Sequence, residues 1–166
     1  MIDPAYCQLM ARYNRWQNAQ LVDCLAPLST EDLDLNRGAF FGSIRATLNH
    51  LIWGDEMWMS RFDGGSKPAV GIPDSVAVHP DVESWGRARS QMDDRIADWC
   101  KTVDETALRG AITWFSGVAK ADVTKPLALC VVHMFNHQTH HRGQIHAMLT
   151  AAGGQAPVTD LFMMPE

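Results

Sequence analysis

Residues 133–146 read HMFNHQTHHRGQIH, and five of the chain's seven histidines fall inside this run. His133, His137 and His141 are spaced by four and four. On a helix they stack along one face, with neighbouring Cβ atoms about 6 Å apart. A face of stacked imidazoles is poorly used in open water, so this helix is expected to turn it toward partner helices. The helix is predicted to open at Thr124, as cap, with Pro126 early in its first turn, and to run to about Ala152, where Gly153 and Gly154 stop it.

Three further long helices are legible upstream. Asp3 followed by Pro4 is a cap with proline at the first helical position. Tyr6, Leu9, Met10, Tyr13, Trp16 and Leu21 then recur at helical spacing. Ser29 to Leu33 reads as one short turn. Ser43 caps a second long helix, predicted to Arg61, whose apolar face is Ile44, Leu48, Leu51 and Ile52. His50, Gly54 and Trp58 share one stripe of it. A glycine inside a helix costs about 1 kcal/mol relative to alanine, so something is expected to pack very close to Gly54. The third long helix starts near Asp81, with Val82, Trp85, Arg89, Met92, Ile96, Trp99 and Val103 stepping by three and four. Arg89 is the polar member of that stripe.

Between these helices lie residues 63–80, rich in glycine and proline, which read as a long loop bordering a site. Residues 105–124, with Thr113, Trp114 and Phe115 before Gly117, read as an irregular crossover or a short hairpin. The tail, with Leu161, Phe162, Met163 and Met164, is expected to lie against the helices. The pattern predicts an all-α fold: a single four-helix bundle domain over 1–166 with long connecting loops.

Composition narrows the function. The chain has 166 residues, 46% hydrophobic and 20% charged, with a formal net charge of -5. No basic stripe is present, which argues against nucleic acid. No 18-residue apolar run and no signal-like N-terminus is present, so a cytoplasmic protein without a membrane partner is expected. Cys7, Cys24, Cys100 and Cys130 are scattered, form no metal or redox spacing, and read as ordinary thiols.

Two imidazoles four apart on a helix can converge on one ion, with Zn–N distances of about 2.0–2.1 Å. Three in series span about 12 Å, too far for one ion. One of the three must therefore drop out, and a further ligand must come from another helix. His50 is the sole histidine of the second long helix and lies on the Gly54 stripe; His79, beside Pro80, sits in a less rigid place.

The run Asn136-His137-Gln138-Thr139-His140-His141-Arg142-Gly143-Gln144-Ile145 resembles the signature of the DinB-like (YfiT-like) metalloenzyme family, which is unrelated to the DNA polymerase of similar name. Phe41-Gly42-Ser43-Ile44, Thr47 through Leu51, Asp55 and Trp58 are similar to that family's second helix, and Tyr13 to Trp16 to its first. Pro157 to Leu161 also has a counterpart. The resemblance implies a four-helix bundle, often dimeric, with a metal held by His50, His137 and His141. It also implies kinship with transferases and isomerases that use a low-molecular-weight thiol.

Three neutral imidazoles leave a divalent ion its full charge and open positions, which suits activation of a thiolate or hydroxide. The expectation is one divalent transition metal per chain, zinc or nickel, activating a thiol or water toward a small electrophilic substrate, in a homodimer. The alternative is a non-catalytic metal buffer or sensor. Gln144 and Asp55 are candidates to orient ligand nitrogens, and Arg142 is a candidate to bind a carboxylate of a thiol cofactor. Gly143 is expected to admit a neighbouring helix.

Overall fold

A computed structural model describes residues 2–166. The described chain is mostly helical. Its long helices are α1 (Pro4–Leu25), α3 (Ile44–Phe62), α4 (Val82–Thr102) and α6 (Leu127–Ala151); α2 (Thr30–Asp34) and α5 (Glu105–Arg109) are single turns. The caps are those the sequence announces. Asp3, Ser43 and Asp81 each accept a backbone N–H from the first turn that follows, satisfying a donor the helix itself leaves free.

α1 packs on α4 and α6, and α3 packs on the same two helices. The core between them is built from Leu21, Leu48, Leu51, Trp85, Ile96, Phe135 and Ile145, all 1% exposed or less. One polar layer crosses it. Arg89 of α4 pairs with Asp55 of α3 and lies 2.9 Å from Asp93 one turn on. Asn18 of α1 donates to Asp93 at 2.9 Å. That layer explains why the apolar stripe of α4 carries an arginine: it is a buried counter-ion, not a solvated edge.

The all-α expectation holds except for one small sheet. Residues 111–126 form a two-stranded antiparallel hairpin, β1 (Ala111–Ser116) and β2 (Ala121–Pro126), in register from Ala111–Pro126 to Ser116–Ala121. The hairpin alternative is the one adopted. Thr124 is consequently not a helix cap. It pairs with Thr113 across the strands, their hydroxyls 2.8 Å apart, and α6 begins after Pro126. β-branched and aromatic residues at Ile112, Thr113, Trp114 and Phe115 favour the extended state there.

The 63–80 loop contains a 3-10 turn at Ile72–Ala77 packed on α3. The tail docks through its backbone: Thr159 and Val158 carbonyls accept from the Tyr13 hydroxyl at 2.6 Å and the Gln17 amide at 2.7 Å. Its apolar residues Leu161, Phe162 and Met163 stay exposed. Among the described residues, no helix is long and apolar enough to cross a membrane.

Candidate metal centre

α3 and α6 run side by side, and the reason they can do so closely is Gly54. A Cβ at that position would lie 2.8 Å from Cε1 of His137, so the imidazole occupies the space a side chain would need. This accounts for a helix-weakening glycine in mid-helix. With the ring laid over α3, His137 Nε2 lies 3.1 Å from His141 Nε2. His50 comes in from α3, its ring 5.4 Å from that of His137 and 5.1 Å from that of His141.

The ligand atoms of His50, His137 and His141 all lie within 4.8 Å of one another. Two imidazole nitrogens bound to one tetrahedral zinc would be about 3.3 Å apart, given Zn–N distances of about 2.0–2.1 Å. The His137–His141 pair already stands close to that separation. Among the described residues no carboxylate or thiol joins the group.

Two of the three rings are held by a polar neighbour, while the buried Nδ1 of His137 has none. His50 Nδ1 lies 3.1 Å from the Ser75 hydroxyl, which leaves Nε2 for the centre. Its ring stacks with Phe41, 4.0 Å away, and with Trp53, 5.8 Å away. His141 Nδ1 lies 2.8 Å from Gln144 Oε1, which likewise frees Nε2. Outer partners of this kind fix the imidazole's tautomer and orientation. Burial favours the neutral, ligating form throughout. It pushes His50 down to about 4, helped by the nearby His141, and His137 down to about 3, helped by His141, His50 and His133. His141 is also lowered, by burial first, against its hydrogen bond to Gln144 Oε1.

The other predicted residues separate cleanly. His133 lies one turn along, against Trp58, and is outside the cluster. His79 is tied elsewhere: its backbone is clamped by the Asn49 side chain through bonds of 2.6 and 3.0 Å. Gln144 reaches a cluster imidazole. Asp55 does not; it faces Arg89. Arg142 is one residue past His141, about 100° round the helix, and lines the groove between α1 and α6 beneath Tyr13. Burial lowers its guanidinium to about 10. It therefore does not face the histidines. Gly143 admits no helix, because nothing lies within 4 Å of where its Cβ would be. The cysteines are not activated: burial pushes Cys7 up to about 11 and Cys100 up to about 12.

Ser75 and Trp53 were not foreseen as site residues. Only the length of the 63–80 segment signalled that it borders a site; the seryl type and its position carry no motif. Ser75→Ala is expected to lower zinc affinity by about 10- to 100-fold, the usual consequence of losing such a partner, measured by competition with a chromogenic chelator. Unchanged affinity would show that the Ser75 contact does not orient His50.

The family model of the DinB family matches residues 1–166. This chain belongs to the DinB family. It is 27% identical to "Protein DinB" of Bacillus subtilis (strain 168), with 91% of each chain covered. Its fold is similar to that of a crystallised DinB-like protein from Bacillus cereus ATCC 10987, with a TM-score of 0.69 and 15% identity, over 88% of this chain and 90% of that one. Membership agrees with the family resemblance of the Asn136–Ile145 run, and the structural neighbour supports the helical fold of this DinB-family chain.

Proposed function

We propose that this DinB-family chain is a four-helix-bundle metalloprotein that binds one divalent transition metal, zinc or nickel, through His50, His137 and His141. We further infer that it uses the ion to prepare a thiol or water for transfer to, or hydrolysis of, a small electrophilic substrate. The observation that carries the reading is the convergence of three imidazoles from two helices within 4.8 Å, without a carboxylate or thiol among them. A closed structural zinc site normally has four protein ligands. Three neutral ones favour an ion with positions left for exogenous molecules.

When bound, the ion would supply Lewis acidity, lowering the pKa of a thiol or water beside it. The chain's own residues do the rest. Gln144 Oε1 accepts from His141 Nδ1, which leaves that ring's Nε2 its lone pair, and the Ser75 hydroxyl holds the outer nitrogen of His50. Phe41 and Trp53 hold the His50 ring plane and line its surroundings with apolar surface. Low polarity there strengthens the field of any charge at the centre. The Asp55–Arg89 layer keeps α3 in place relative to α4. A cytoplasmic homodimer is part of the same proposal, and the dimer rests on the family resemblance.

The test is elemental analysis of tag-free protein, wild type beside His50→Ala and His141→Ala. About one metal per chain, lost in both variants, is expected. Retention in His50→Ala would reassign the third ligand. Wild type that takes up neither zinc nor nickel would overturn the reading. A metal-loaded protein that leaves the ionisation of added thiols unchanged would point instead to a buffer or sensor.

A further inference from the structure

A second cavity lies on the other side of Trp53. The groove between α3 and α4 is covered by the 66–70 and 78–79 stretches and encloses about 440 Å³. That is within the range of about 300–1,000 Å³ typical of small-molecule sites. Its walls are firm. Arg95 bonds both Asp63 carboxylate oxygens at 2.8 Å, the Trp53 indole donates to the Val70 carbonyl at 2.9 Å, and Asn49 clamps His79. The covering segment is thus tied at both ends and in the middle.

The lining is mostly apolar, from Ile52, Val70, Val78, Ala88 and Met92, with one acid, Glu56, and one guanidinium, Arg95, on the same space. Glu56 has no ion pair within 4 Å and no side-chain hydrogen bond among the described residues. The nearest cation, Arg95, is engaged by Asp63. Partial burial raises the Glu56 carboxyl, and Arg95 acts on it only from a distance. A carboxylate half withdrawn from water beside apolar walls is stabilised by a donor-rich cation more than by any other partner.

We infer that this cavity binds a small organic cation, an ammonium group on a compact hydrophobic body, with Glu56 as its counter-charge. The hydrophobic body lies against Ile52, Val78 and Met92, and the ammonium meets the carboxylate. The site is separate from the histidine cluster and does not require a metal. Trp53 is the wall common to both, one face toward His50 and its N–H holding Val70.

The experiment titrates the full-length protein with phenethylammonium, its neutral analogue 2-phenylethanol and the anion 3-phenylpropionate, following Trp indole resonances by NMR. The ammonium is expected to bind at least tenfold more tightly than the alcohol, and the anion most weakly. Glu56→Gln should erase the charge preference while leaving the melting temperature close to wild type. Ala88→Phe, which fills the cavity, should weaken all three probes. His50→Ala should leave the ammonium affinity unchanged. Equal affinities for the three probes, a preference that survives Glu56→Gln, tight binding that survives Ala88→Phe, or no binding to the wild type would each overturn the inference.

Discussion

Arg89→Leu should destabilise the fold by about 3–5 kcal/mol, the range for removing one partner from a buried ion pair. Arg89 and Asp55 are 1% and 0% exposed, so neither is screened by water. The substitution leaves Asp55 facing an apolar side chain and Asp93 with Asn18 alone. An unpaired buried carboxylate takes up a proton more readily in the folded than in the unfolded chain, so the variant's folded-state pKa for Asp55 lies above its unfolded value. Stability then falls as pH rises through that interval, and the deficit relative to wild type should shrink on acidification from pH 7 toward pH 5. Denaturant unfolding at the two pH values checks both the size and the sign. A deficit below about 1 kcal/mol, or one that grows on acidification, would contradict the role assigned to the layer.

Gly54→Ala should separate stability from metal binding. Alanine favours the helix by about 1 kcal/mol over glycine, which offsets much of the about 1–3 kcal/mol that overpacking costs, so the metal-free protein should melt within a few degrees of wild type. The new methyl, however, would meet the His137 ring at 2.8 Å. The imidazole must swing away, and its Nε2 leaves the position 3.1 Å from His141. Zinc affinity is expected to fall at least about tenfold, which corresponds to about 1.4 kcal/mol. Melts with and without chelator, beside a competition titration, give both numbers. Wild-type affinity in this variant would mean that the ring is not held where α3 leaves room for it.

Much of this was readable from residue order, for identifiable reasons. Helix caps are local chemistry, so Asp3, Ser43 and Asp81 announce their helices directly. The spacing of His137 and His141 is also local, and Gly54 betrayed a close neighbour through its cost. What failed was chemistry settled by distant partners. Thr124 has the residue type of a cap, but Thr113 across the hairpin claims it. Asp55 lies near His50 in sequence, yet its charge is spent on Arg89, which is 34 positions away. Arg142 sits beside a cluster histidine in the chain but a third of a turn away in space. Ser75 depends on how residues 63–80 fold back over α3, which no spacing rule encodes.

The Ser75 contact also makes His50 a two-ended device. Its Nδ1 belongs to the covering segment and its Nε2 to the histidine cluster. An ion held by Nε2 would fix the proton on Nδ1, and that nitrogen would then donate to Ser75. By thermodynamic reciprocity, whatever such an ion contributed to holding Ile72–Ala77 down, a firmly seated segment would return as affinity for the ion. Metal loading and the seating of the 63–80 segment would in this sense be a single equilibrium read at two places.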